Sequence, residues 1–320
     1  MIKGFDLVTY QNIRDGLHDY RAKGALRGVY LGYPNLHEHY TMALPGCTTW
    51  TGFPQSGKTE FLLDCLLNTS VFYGWKHLLY VPDIGDKVEV TATLIHKISG
   101  MTFDKRFVNS NYISEGDVDK NLQWILEHFF IIYKEDLKAK MTPYEFWEYA
   151  ATLKKDVIGG IQTTVIDSWK DMRHDTNSFG RDDKYLEDVL SYCNAMSEAH
   201  KQHHHIIIHP TKTEADKDGK RRAPGPYDLK GGSEWYNSGK CMITVHRPDG
   251  VQNGVEIIVT KAKPKSVAMQ GKVEMHFDVK QAKYYWIDNG NKKYANKDYV
   301  KPTGLSVFDN QTELDDDVPF

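Results

Sequence analysis

The segment Gly52-Phe53-Pro54-Gln55-Ser56-Gly57-Lys58-Thr59 constrains this chain more than any other. It has the pattern G-x-x-x-x-G-K-[ST] and lies between a strand-like run, 47–51, and a helix-forming run, 59–67. Glycines let the backbone wrap closely around phosphate groups. Loop amides and the N-terminus of the following helix supply partial positive charge. In such a loop Lys58 reaches the terminal phosphates, and the Thr59 hydroxyl holds Mg²⁺. A strand–loop–helix unit of this kind requires an α/β fold.

Periodicity extends that reading. Strand-like runs at 47–51, 78–81, 129–133, 163–166 and 205–208 alternate with helical runs at 59–67, 88–98, 144–155 and 185–201. The alternation predicts a mostly parallel sheet flanked by helices on both faces. Runs at 242–246, 256–261, 272–277 and 284–287 follow without intervening helices and predict a C-terminal antiparallel β extension. Residues 6–22 read as a short amphipathic helix with Leu7, Tyr10, Ile13 and Leu17 at helical spacing. The expected organisation is a linker or interface helix at 1–30, an ATPase core at 31–305 and a flexible acidic tail at 306–320.

A formal net charge of −3 gives no bulk sign of nucleic acid, so any such role must rest on local patches. No apolar run is long enough to span a membrane, and the opening MIKGFDLVTY lacks the apolar core of a signal peptide. Cys47, Cys65, Cys193 and Cys241 are scattered, which argues against a zinc site or disulfide framework and fits a reducing cytoplasm. His203, His204 and His205 are consecutive on an expected strand. They point to alternate faces and do not converge on one ion.

A phosphate loop needs an acid at the carboxyl end of a nearby apolar strand, facing the Mg²⁺. Thr163-Thr164-Val165-Ile166-Asp167 fits, with Asp167 as that acid.

Several ordered motifs then become specific together. GCTTWTGFPQSGKTEF (46–61) resembles the first motif of the DnaB and Twinkle type of hexameric replicative helicase. IDSWKDM (166–172) is similar to the second motif of its Twinkle-like and phage branch, and IIIHPTK (206–212) to the third. PYDLKGGSEWYNSGKCMITVHR (226–247) is similar to the fourth. The resemblance covers about 31–285 and implies a RecA-like motor core without the family's separate N-terminal domain.

It also implies roles. Gly52 to Thr59 with Glu60 and Lys261 would bind ATP, and Thr59 and Asp167 would hold Mg²⁺. Asp83 takes the place of the acid that orients the attacking water, where the family has Glu. His209 matches the γ-phosphate sensor. Lys263, in Lys261-Ala262-Lys263, stands where the family places an arginine finger that acts across the subunit interface. Loops at about 170–184 and 211–232 would face single-stranded DNA, the second carrying Lys212, Lys217, Lys220, Arg221, Arg222 and Lys230. The end, Leu314-Asp315-Asp316-Asp317-Val318-Pro319-Phe320, resembles acidic tips that dock replication proteins through a terminal Phe.

The expectation is an ATP-driven motor translocating on single-stranded DNA as a homohexamer in the cytoplasm, including that of a phage-infected host. The alternatives are a RecA-like recombinase or DNA-stimulated ATPase without unwinding, and a replication adaptor or loader with weak hydrolysis. A small-molecule P-loop kinase would have no use for the β-rich end or the acidic tip.

Overall fold

The computed structural model describes residues 6–25, 27–107, 111–136, 138–211, 221–248 and 253–295. Helix α1 (Tyr10–Lys23) and the single turn α2 (Pro34–His37) precede β1 (Gly46–Thr51) and α3 (Lys58–Tyr73). Next come β2 (His77–Tyr80), α4 (Lys87–Ser99), α5 (Glu115–His128), β3 (Phe129–Ile131), α6 (Pro143–Asp156), β4 (Thr163–Asp167), α7 (Asp182–His200) and β5 (His203–Ile208). Helix α8 (Gly232–Ser238) leads to β6 (Cys241–His246), β7 (Gly254–Lys261), β8 (Gly271–Asp278), β9 (Lys283–Asp288) and β10 (Asn291–Tyr294).

These strands form one sheet in the order β10-β9-β8-β7-β6-β1-β5-β4-β2-β3. From β6 to β3 the pairs are parallel, and from β6 to β10 they are antiparallel. This is the expected α/β architecture with its antiparallel extension. Strands β1, β2, β4, β5 and β6 are buried at every position, as strands covered on both faces must be. One face packs on α3, α4 and α5 through Trp50, Phe61, Leu66, Leu94 and Ile125. The other packs on α6, α7 and α8 through Trp147, Val189, Cys193 and Trp235.

The segment before β1 packs into the α3, α4 and α5 side of the core through Tyr33, whose hydroxyl donates to Asp64 Oδ2 at 2.9 Å. The same carboxylate oxygen accepts the Tyr284 amide at 2.7 Å, so buried Asp64 ties α3 to β9 and to residues before β1.

Four of these elements go beyond the sequence reading: the single turn α2, α5, α8 and β10. Only Ile125 of α5 is buried, and α8 opens on glycine, so neither shows a strong apolar stripe. The strand expected to reach 133 ends at Ile131, the last residue it pairs with β2. Helix α1 starts at Tyr10 rather than near 6, because the Thr9 side chain accepts the Asn12 amide and caps it. None of its residues is buried, and Leu7, Tyr10, Leu17 and Tyr20 are exposed.

The histidines lie in the centre of the sheet. His203 and His205 share one face, with rings 4.4 Å apart, while His204 packs on Trp147 across the other. His203 Nδ1 donates to the Ala43 carbonyl at 2.8 Å, so its Nε2 accepts from the Thr48 hydroxyl at 2.8 Å. His205 Nδ1 accepts from the Trp50 indole at 3.1 Å. Each partner suits a neutral ring, and among the described residues no three or more His, Cys, Asp and Glu side chains cluster as metal ligands.

Burial pushes His203 down to about 4 and His77 and His204 to about 3. The unfolded rings protonate near 6.5 and the folded ones resist. Stability from this source is therefore complete above about pH 6.5 and is lost as pH falls toward 4. Each ring contributes a slope of about 1.4 kcal/mol per pH unit in that window. Urea unfolding should show a midpoint that drops steeply between pH 7 and pH 5, with a shallower drop in His204→Leu. A midpoint independent of pH would contradict the buried neutral histidines.

Candidate nucleotide site

Strand order gathers positions that are far apart in sequence. Strands β1, β5, β4 and β2 are consecutive in the sheet and parallel. Their carboxyl ends open on one crevice, the usual ligand position in such sheets. The loop 52–57 leaves β1, His209 follows β5, Asp167 ends β4, and Asp83 lies three residues past β2.

The loop is shaped for close approach. Gly57 caps α3 at φ 94°, and a Cβ there would collide with the Tyr284 hydroxyl. A Cβ at Gly52 would collide with the Val245 carbonyl and Ser56 Oγ. The tight turn also holds Gln55 at φ 63°. Ser56 Oγ is buried without a hydrogen-bond partner among the described residues, a spare polar atom inside the cradle.

Lys58 is buried and donates from Nζ to the Phe53 carbonyl at 2.9 Å. Burial pushes its ammonium down to about 8, against the upward pull of Asp167 and Asp83. Thr59 Oγ1 donates to Asp167 Oδ2 at 2.5 Å. Burial raises the Asp167 carboxyl to about 6 despite that bond. A hydroxyl and a buried carboxylate at this spacing form a hard-oxygen pair suited to Mg²⁺. Together with the cradle and the buried cation, they fit a magnesium-bound polyphosphate.

Asp83 Oδ2 lies 3.4 Å from His209 Nε2, and its Oδ1 lies 3.4 Å from Lys170 Nζ. Burial pushes the Asp83 carboxyl up, but the His209 hydrogen bond and the Lys170 charge together hold it below the ordinary carboxylate value. His209 is held down by burial and by the charge of Lys58. Its Nδ1 has no partner among the described residues.

Other expected site residues are placed differently. Glu60 pairs with the buried Lys97 of α4 at 2.7 Å. Phe53 lies under the Arg221 guanidinium at 5.6 Å. Lys261 does not join the phosphate loop of its own chain. Its Nζ donates to the Tyr236 and Asn237 carbonyls at the end of α8, and the chain beyond it runs away from the crevice. Exposed Lys263 lies further along that path. Of the expected DNA-facing residues, Arg222 makes a two-pronged pair with Asp228, at 2.7 Å for both contacts, which braces its own loop. Lys230 pairs with Asp182 at 3.2 Å. Lys212, Lys217, Lys220 and the tail with Phe320 lie outside the described residues.

Two neighbours escaped the sequence reading. Lys170 sits inside the quoted second motif, but no spacing rule pairs it with Asp83. Tyr284 donates from its hydroxyl to the Gly57 carbonyl at 3.1 Å from the far end of the chain.

No family model matches the chain. It is 25% identical over 279 residues to the Twinkle homolog protein, chloroplastic/mitochondrial, of Arabidopsis thaliana. That alignment takes in 85% of this chain and 38% of the relative, so the chain spans about two fifths of that protein's length. Among solved structures, one isolated ATPase domain superposes with a TM-score of 0.70 at 16% identity, over 87% of this chain and 99% of that one. A DnaB-like replicative helicase, described with its interactions with primase, gives 0.68 at 16% identity, over 87% of this chain and 67% of that one. The fold is RecA-like, and the chain resembles the DnaB and Twinkle type of helicase motor domain. Among the described residues no helix is long and apolar enough to cross a membrane.

The raised Asp167 carries a stability consequence. A carboxyl whose folded value exceeds its unfolded one stabilises the fold when protonated, and that contribution is lost as pH rises through about 6. Keeping it ionised at pH 8 costs roughly 2–3 kcal/mol. Ligand-free Asp167→Asn should therefore melt higher than wild type at pH 8, with the gap narrowing at pH 5. It should also lose the rise in melting temperature that Mg²⁺ with nucleotide gives wild type. A lower melting temperature at pH 8 would contradict the buried, ligand-ready carboxylate.

Proposed function

We propose that this chain is the ATP-hydrolysing motor of a replicative helicase that translocates on single-stranded DNA as a ring. The observation that carries the reading is the gathering of Lys58, Thr59, Asp167, Asp83 and His209 at four adjacent strand ends. The likeness to a Twinkle homolog gives that site its context.

In this reading the loop amides and Lys58 bind the phosphates of ATP, and Thr59 and Asp167 hold Mg²⁺, which neutralises phosphate charge when bound. Asp83 orients the attacking water and accepts its proton in the transition state. Being one methylene shorter than Glu, it makes turnover sensitive to its exact placement. His209 hydrogen-bonds at the terminal phosphate and passes the loss of that phosphate to the loop that follows it. Lys263 cannot serve its own loop from the far end of β7, which is consistent with a role toward a neighbouring copy. Lys261 braces the chain next to it. The exposed apolar residues of α1 supply a contact between copies. Arg221, Lys230 and the positions 212–220 supply phosphate contacts to the strand, repeated around the ring. The acidic tail ending at Phe320 docks a replication protein. A second reading, a nucleotide-binding adaptor with weak hydrolysis, draws on the engagement of both Asp83 oxygens by neighbouring side chains.

The test is ATP turnover with unwinding of a forked duplex. Wild type should do both, and Lys58→Ala should lose turnover by at least about 10²-fold. Lys263→Ala should bind nucleotide but hydrolyse poorly, and mixing it with Lys58→Ala should restore part of the activity. Wild-type turnover in Lys58→Ala would sink the site. Failure of mixed rings to recover would remove Lys263 from it. Hydrolysis without unwinding would favour a DNA-stimulated ATPase of another kind.

A further inference from the structure

The contact between Lys170 and Asp83 joins two parts of the site that have separate tasks. Lys170 sits on the single turn Trp169–Asp171 directly after Asp167, where the loop expected to face single-stranded DNA begins. That turn is fastened on both sides of it. Trp169 packs edge-on against Trp235 at 5.2 Å and beside His174 at 4.6 Å. Asp171 accepts from the Ser168 hydroxyl at 2.9 Å. The backbone is thus anchored while the Lys170 side chain stays 63% exposed.

Its ammonium occupies one oxygen of Asp83, and His209 occupies the other. An ammonium beside a carboxylate oxygen takes one of its two lone-pair directions, lowers its basicity and fills space that the attacking water must enter. Lys170 has somewhere else to go. It lines a cavity of 460 Å³ with His174, Trp235 and the exposed pair Lys230–Asp182, so the two expected DNA-facing loops each place a lysine at that opening. An ion pair this exposed favours its partners by about fivefold at most, so a polyanion can compete it away.

We propose that Lys170 is a positioning residue that holds Asp83 out of use until a DNA phosphodiester draws its ammonium toward the cavity shared with Lys230. Strand binding then frees Oδ1 of Asp83 for the attacking water, and hydrolysis proceeds on the DNA-bound subunit. The proposal rests on the motor reading above. It adds a physical link by which the strand switches the site on.

The experiment measures ATP turnover of the full chain with and without oligothymidylate, in wild type, Lys170→Met and Lys170→Arg. Lys170→Met should raise the DNA-free kcat by about two- to fivefold and shrink the stimulation by DNA toward one, with KM for ATP little changed. Lys170→Arg keeps a cation in reach of Asp83 and should retain most of the stimulation ratio. Thermal melting of each variant identifies a misfolded protein, in which case Lys170→Gln replaces Lys170→Met in the same comparison. Lys170→Met that lowers both rates equally would overturn the proposal and make Lys170 a phosphate contact. Lys170→Met that behaves as wild type, when DNA does stimulate wild type, would overturn it alone. A wild-type rate that DNA does not raise would overturn the motor reading and this inference together.

Discussion

A parallel strand cannot be joined to its neighbour by a tight turn, so each added strand brings a covering helix and leaves its carboxyl end facing the same way. In this chain β1 is hydrogen-bonded to β5 on one side and β6 on the other. With β4 beyond β5 and β2 beyond β4, the loop after β1 meets His209, Asp167 and Asp83 along one edge. No single motif makes the site. The sheet order does, and every contact from Thr59 to Asp167 or from His209 to Asp83 follows from it.

The electrostatics show what the crevice is built to hold. Burial drives Lys58 and Asp167 in opposite directions, each toward its neutral form. A bound polyphosphate with Mg²⁺ would relieve both, since the anion meets the ammonium and the cation meets the carboxylate. Ligand binding would therefore recover free energy that burying these two charges costs, as preorganised sites require. The same sheet carries a second buried polar set at its other end, where His77, His203 and His204 bond Thr163, Thr48 and Thr164. There the groups are neutral and mutually paired, which suits a structural role.

Much of this was legible in the sequence because the informative signals are local. The phosphate loop announces itself through its strand and helix, and Asp167 through the apolar strand it ends. Alternating strands and helices imply parallel pairing, but not which strands are neighbours. The Asp83–Lys170 pair and the contact of Tyr284 with Gly57 depend on that order and had no signal of their own. Helices α5 and α8 were missed for a different reason: each buries too few residues to show a period. Lys261 reads as a site residue by motif position, yet folding turns its ammonium to the α8 carbonyls. Motif position reports where the backbone runs, and packing decides where a long side chain goes.

In the proposed motor, a neighbouring copy on the same single strand of DNA completes the site around the nucleotide in one copy's crevice. Electron microscopy of the protein with a non-hydrolysable ATP analogue, Mg²⁺ and oligothymidylate tests it most directly. The expected result is a ring or lock-washer of copies around the strand, with nucleotide against Lys58 of one copy and Lys263 of the next. Single copies on the strand, each enclosing its nucleotide without a neighbour, would contradict it.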